Sequence, residues 1–225
     1  MAAENDNLVV LSFNDSLLHK SDVDLLNGPN WINDKLISFC FEYFEKEQFN
    51  HSADKLALLS PEVAQFIKLA PDDDLGTCLG PLNLPSKQFV FLPVNDNQIT
   101  CQAGGTHWSL LVYIRNKQEF RHYDSMECSN KEIAKMLAYK LQPYVQAPRG
   151  RMKVLEVDSP KQKNSYDCGM FVISIAEHLC KELCEGYNIP LNDLVNSESV
   201  SNKRSQIKEL IHQVAEEFGS TQAIR

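Results

Sequence analysis

At 225 residues, 43% of them hydrophobic and 23% charged, the chain is long enough to bury one full-sized core and fits a single domain over 1–225. A formal charge of −8 and a pI near 5.3 argue against nucleic acid, whose phosphates need a basic surface, and favour a partner with a basic face. The first residues lack the basic start and apolar stretch of a signal peptide, and no run reaches membrane-spanning length; a protein of the cytosol or nucleus, without membrane contact, is expected.

Residues 8–13 read as a strand, and Asn14-Asp15-Ser16 as the turn that leads into Leu17-Leu18. After a turn at 27–30, Trp31 and Ile32 lead to Asn33, a good helix cap, and Leu36, Ile37, Cys40, Phe41 and Phe44 recur at helical spacing. A second helix starts at Ser60-Pro61-Glu62, with Val63, Phe66 and Ile67 expected inward and the acidic segment 71–74 ending it. Residues 87–94 and 107–114 read as neighbouring strands, joined by a loop over 95–106 with Gly104-Gly105 as a candidate hinge. Residues 119–124 alternate like a third strand across a hairpin turn at 115–118, and 153–157 read as a fourth. Helices are expected over 132–144, over 168–185 and around Ile207, Leu210, Ile211, Val214 and Phe218, with the Ser- and Asn-rich 196–202 as a surface linker. This is an α+β pattern, a central sheet with helices around it, and the helical C-terminal region begins at about 186.

Seven cysteines, an odd number in a chain of this size, point to free thiols in a reducing compartment. None has the spacing of a zinc site, and Cys180 and Cys184, one turn apart, read as buried helix side chains; no metal or other cofactor is expected. Cys168 differs from the rest because it stands where a polar loop becomes an apolar helix. Unpaired N–H groups at a helix start favour negative charge on a sulfur and on any oxyanion formed beside it.

A cysteine nucleophile needs a basic partner, and that partner needs an orienting group. His107 follows a Gly-Gly-Thr turn and opens a strand, where its side chain can face a cleft; His122 lies inside a strand pattern, and the other four histidines have no evident partner. Asp124 ends the adjacent strand, so a hairpin puts His107 and Asp124 at one edge of the sheet. Gln162, six residues before Cys168, can add a side-chain N–H to the backbone donor of Cys168 and complete an oxyanion hole. Singly, each has a plainer reading: a small buried thiol, a surface histidine, a turn-forming aspartate. Their convergence through one topology is what points to catalysis.

The strings Gly105-Thr-His-Trp-Ser-Leu-Leu-Val112, Phe120-x-His-Tyr-Asp-Ser125 and Gln162-x-Asn-Ser-Tyr-Asp-Cys-Gly-Met170 resemble the active-site motifs of the Ulp/sentrin-specific family of cysteine proteases. The segments Asn95-Asp-Asn97 and Ala103-Gly-Gly-Thr-His-Trp108 are similar to its deneddylase branch rather than its desumoylating one, and the likeness fades over the last forty or so residues. The resemblance implies a papain-like fold with a central mixed sheet, and His107 as base, Asp124 as its orienter, Cys168 as nucleophile and Gln162 as oxyanion donor. It further implies that Trp31 and Trp108 roof a narrow channel for the Gly-Gly end of a ubiquitin-like modifier, with Asn95, Asp34 and the run 72–74 as candidate contacts to the modifier. The implied partners are the neddylation modifier and its conjugates, such as cullins, with the enzyme acting as a monomer on conjugates or on precursor tails. A desumoylase, an inactive modifier-binding module and an acyltransferase of related fold are the alternatives.

Overall fold

Residues 89–95 and 108–114 carry almost unbroken apolar sequence, which is the pattern of strands covered on both faces rather than one. Val90, Phe91, Leu92, Val94, Leu110, Leu111, Val112 and Tyr113 are all buried. These strands form the middle of the sheet, and everything else in the fold is arranged by what covers its two sides.

The computed structural model describes residues 7–99, 104–127, 129–147 and 153–222. In chain order the elements are β1 (Val9–Phe13), β2 (Ser16–His19), α1 (Lys20–Asp24), α2 (Asp34–Tyr43), β3 (Leu56–Leu58), α3 (Pro61–Leu69), α4 (Leu75–Leu79), β4 (Phe89–Asn95) and β5 (Trp108–Ile114). They continue as β6 (Glu119–Tyr123), α5 (Lys131–Leu141), β7 (Lys153–Glu156), α6 (Cys168–Glu185), α7 (Leu191–Leu194) and α8 (Ser197–Gln222). β1 and β2 form a hairpin, and the main sheet has the order β3-β4-β5-β6-β7. Its inner pairings, β4 with β5 and β5 with β6, are antiparallel, while β3 and β7 are parallel to their neighbours, so the sheet is mixed. Pro93 cannot donate to a ladder, and it falls beyond the stretch that β3 pairs, where no donor is needed on that side.

Alternation divides the core. Phe91, Leu110, Val112, Ile114 and Tyr123 face α6, with α2 and α8 in the same cluster. Val90, Leu92, Leu111, Tyr113 and Phe120 face the other way, onto Ile67 of α3 and Ala134, Leu137 and Leu141 of α5. Helix α6 is the central one, buried from Cys168 to Ile173 and again at Ile175, Ala176 and Cys180. Helix α8 closes that side: Ile207, Ile211 and Val214 are buried, and Phe218 meets Phe13 edge to face at 5.1 Å.

Asn33 caps α2 by accepting the N–H of Leu36 at 3.1 Å, and Ser60 caps α3 ahead of Pro61, both as the sequence indicates. Two expectations need correction, and one strand was missed. Phe66 is 41% exposed instead of inward, because Ile67 takes the core position and its neighbour is turned about 100° away, toward a cleft. Residues 197–202 are the first turns of α8 rather than a linker: Asn196 Oδ1 accepts the N–H groups of Glu198 and Ser199 at 3.0 and 3.1 Å, and Val200 is fully buried. The Ser and Asn that suggest a loop are the residues that start a helix well. The short strand β3 was not expected; three apolar residues without alternation carry no period to read.

Candidate active site

The register of β5 on β6 pairs Leu110 with Tyr123, so the residue just before β5 and the one just after β6 lie at the same sheet edge. That edge brings His107 Nε2 to 2.7 Å from Asp124 Oδ1, with both side chains buried. Burial alone would push the Asp124 carboxyl up. The hydrogen bond from His107 and the backbone N–H groups of Asn130 (3.1 Å) and Met126 (2.8 Å) outweigh it and hold the group at about 2. Burial likewise works against charge on His107, but the hydrogen bond to Asp124, the neighbouring Cys168 sulfur and the charge of Asp124 raise the ring to about 9. These surroundings favour the imidazolium form of His107 over the neutral ring. With Nε2 committed to Asp124, Nδ1 is buried and makes no hydrogen bond, which leaves it free to serve the sulfur.

Cys168 is the first residue of α6 and is buried, and Asp167 stands in the N-cap position ahead of it. An aspartate there ordinarily accepts an N–H of its own helix, but this one makes no such bond. Its carboxylate is turned to Arg204 of α8, with Nε at 3.0 Å and Nη2 at 2.7 Å from Oδ1, while Asn164 Nδ2 donates to Oδ2 at 2.7 Å. The N-terminal N–H groups of α6 are thus left without a side-chain cap beside the sulfur. Gln162 is fixed at both ends: Ser125 Oγ donates to its Oε1 at 2.7 Å, and its Nε2 donates to Asn164 O at 2.6 Å. One of its two amide hydrogens remains for a further acceptor.

A cleft of about 920 Å³ opens onto the sulfur, and Trp31, Asp34, Asn95, His107, Trp108 and Cys168 all line it. Gln162 is not part of that lining. Phe66 contributes apolar surface, and Asp34, Glu62 and Asp74 make the rim acidic, with no lysine or arginine among the described lining residues. Of the run 72–74 only Asp74 reaches the cleft; Asp72 is paired with Lys140 at 3.6 Å. Gly169 is required where it stands, since a Cβ there would lie 2.5 Å from Ile32 Cγ1 and 3.4 Å from Trp108 Cδ1. Gly105, at φ +87°, is packed so that a Cβ would lie 2.0 Å from Asn95 Oδ1. Asp96 ties the loop ends together by accepting Thr106 N–H and Oγ1–H, each at 2.6 Å, and His107 N–H at 3.1 Å. Within the loop 95–106, residues 100–103 lie outside the described ones.

Several supporting residues were assigned no role from the sequence. Asn130 is buried and its amide donates to Val94 O (3.2 Å), His107 O (3.3 Å) and Ser109 Oγ (3.1 Å), tying β4 and β5 to the loop that holds Asp124. His122, read only as a strand residue, bonds Ser109 Oγ through Nε2 and Glu156 Oε2 through Nδ1, each at 2.8 Å. A Ser-His-Glu line of that geometry could suggest a second hydrolytic site, but Ser109 and His122 are sealed in the sheet and no substrate reaches them. Arg204 was equally unforeseen. Among the described residues, no cluster of three or more His, Cys, Asp or Glu side chains is arranged to hold a metal ion.

A buried Asp–His pair facing a cysteine at the head of a central helix, on a mixed sheet, defines a cysteine peptidase of papain-like architecture. The chain belongs to the Ulp1 protease family, whose C-terminal catalytic domain it matches over residues 30–217. It is 45% identical to sentrin-specific protease 8 of Homo sapiens over 208 residues, 92% of this chain and 98% of that one. It is 34% identical to NEDD8-specific protease 1 of Arabidopsis thaliana over 222 residues, 97% and 94% of the two chains. Among solved structures, the C-terminal Ulp1 protease domain in complex with Smt3, the yeast orthologue of SUMO, superposes with a TM-score of 0.73 at 20% identity, covering 93% of this chain and 89% of that one. At that identity the likeness concerns the fold.

Proposed function

We propose that this protease removes the neddylation modifier from lysine side chains of its conjugates, cullins included, and from precursor tails, cutting after the modifier's C-terminal Gly-Gly. The observation that carries the reading is the 34% identity, over nearly the whole of both chains, with a relative named as a NEDD8-specific protease. The site chemistry supports it residue by residue. The Cys168 thiolate attacks the carbonyl carbon of the terminal glycine, and the displaced electron pair moves onto the carbonyl oxygen. That oxyanion is held by the Cys168 N–H and the free amide hydrogen of Gln162. As the C–N bond breaks, the His107 imidazolium gives its proton to the leaving amine, and a thioester remains. Water then attacks the thioester, His107 takes its proton, and the thiolate departs. Asp124 keeps the ring oriented throughout and stabilises its charged form.

Trp31 and Trp108 roof the approach to the sulfur, so a glycine backbone fits where a side chain would collide. Asn95, Asp34 and Asp74 meet the modifier beyond that point, where an acidic rim suits basic residues. The protein acts as a monomer in the cytoplasm or nucleus.

The test is a panel of C-terminally labelled ubiquitin-like modifiers, read as relative kcat/KM, with the Cys168→Ala variant alongside. Preference for the neddylation modifier, with turnover lost and binding kept in Cys168→Ala, is the expected result. Preference for a SUMO-type modifier would move the chain to the desumoylases, and failure of Cys168 to react with a vinyl-sulfone-tipped modifier would make it a binding module.

A further inference from the structure

We infer that Arg204 is a positioning residue for the reaction: it draws the Asp167 carboxylate off the N-terminus of α6, keeping that terminus open for the oxyanion. This inference rests on the hydrolytic reading above.

Arg204 lies on the C-terminal helix, is 6% exposed, and binds four ways. Besides its two bonds to Asp167 Oδ1, its Nη1 donates to Leu25 O at 3.1 Å and its Nη2 to Asn30 O at 2.8 Å. The guanidinium also stands 5.8 Å from the centre of the Tyr166 ring. Its acceptors therefore come from the two segments that flank the catalytic end of α6, the loop before Cys168 and the turn before Trp31. Only a planar fork with several donors can serve all of them at once.

An aspartate at the N-cap is among the strongest helix caps, because its carboxylate accepts an N–H of the first turn and meets the positive end of the dipole. At most helices that is stabilising. At this one the first turn carries the Cys168 sulfur, and the Cys168 N–H, next to the N–H groups a cap would take, must receive the negative charge that develops on the substrate's carbonyl oxygen. A carboxylate capping α6 would repel both the thiolate and the oxyanion. Asp167 has the identity and the position of a cap and makes no cap bond, while Arg204 and Asn164 hold both of its oxygens. Arg204 thus gives the loop a fixed carboxylate without letting it fill the anion site.

The experiment compares wild type, Arg204→Gln, Asp167→Asn and the double variant with a fluorogenic C-terminal amide of the neddylation modifier, after melting curves establish that each is folded. Arg204→Gln is expected to lower kcat by roughly tenfold to a hundredfold with KM changed less than about threefold, short of the full loss of an oxyanion donor. Adding Asp167→Asn to it should recover at least about fivefold, a coupling of the sign expected when one residue's harm acts through the other. A merely structural arginine gives the opposite: the double variant is no better than the single one, or kcat follows the folded fraction. Either result overturns the inference, as does an unchanged kcat in Arg204→Gln or a rise confined to KM. If Arg204→Gln does not fold, Arg204→Lys, which keeps the charge and loses the fork, is put through the same cycle and judged by the same outcomes. Alkylation of Cys168 by iodoacetamide at neutral pH needs no modifier, and should slow in Arg204→Gln and recover in the double variant. A wild type that cleaves no modifier but shows this alkylation pattern would sink the proposed substrate and leave Arg204's role standing; equal alkylation in all four proteins would overturn it.

Discussion

The two sides of the Cys168 sulfur are built in different ways. On the histidine side, His107, Asp124 and Asn130 are brought together by one antiparallel register and a loop that follows it, so the geometry is set by ladder hydrogen bonds between near neighbours in the chain. On the helix side, Asp167 is held by a residue of α8 that also grips Leu25 and Asn30, three segments far apart in sequence. The first side is set within the sheet and the loop that follows it. The second exists only when the C-terminal helix has docked. A peptidase can thus have its base in place and still lack a working anion site, and the two sides should fail differently when disturbed.

Breaking the histidine side directly has the larger effect. Asp124→Asn leaves a neutral amide where the imidazolium needs a charge, and kcat should fall by about 10³–10⁴ with the fold retained. Gln162→Ala removes one proposed oxyanion donor on the other side, and should cost about 10²–10³ in kcat with little change in KM. A loss below tenfold, measured with the same labelled modifier, would mean that Gln162 is not a donor in the transition state. Asn130→Ala takes away the staple beneath His107 without touching substrate, and should lower kcat by roughly tenfold to a hundredfold through misplacement of the ring.

The smallest effect is on stability, and its dependence on pH sharpens the contrast. Asp124, held at about 2, contributes stability that is complete above its ordinary 3.8 and is lost as pH falls through 2. His107, raised to about 9, contributes stability that is complete below its ordinary 6.5 and is lost as pH rises through 9. The pair therefore supports the fold most fully between pH 3.8 and 6.5. The gap between the urea midpoints of wild type and Asp124→Asn should be widest near pH 6 and narrow above pH 9, and a gap independent of pH would remove the ion pair from the stability of that edge.

The same contrast explains what could be read from the sequence. His107 and Asp124 were legible because a hairpin between two apolar runs fixes which ends meet, and Cys168 because polar loop gives way to apolar helix within a few residues. Asn33 was legible as a cap, and Ser60-Pro61 as a helix start, for the same local reason. Arg204 was not, since nothing in its neighbourhood marks a surface-type residue as buried against a turn near the N-terminus. Asn130 and Ser109 carry the same difficulty, being small polar residues whose importance lies in what they bridge. Phe66 and the start of α8 misled for opposite reasons: an aromatic that periodicity assigns to the core lines the cleft instead, and a polar string that suggests a linker caps a helix.

The absent side chain at Gly169 has one more consequence. Ile32 fills that notch, and Trp108 borders it, so the wall of the cleft beside Cys168 is made of closely packed atoms. Under the proposed function, rejection of a bulky residue there is a hard-wall exclusion, indifferent to ionic strength. The acidic rim at Asp34, Glu62 and Asp74 attracts through water and fades as salt is added. One cleft thus holds two filters, and raising the salt concentration should dull the choice among modifiers while leaving the demand for glycine next to the scissile bond intact.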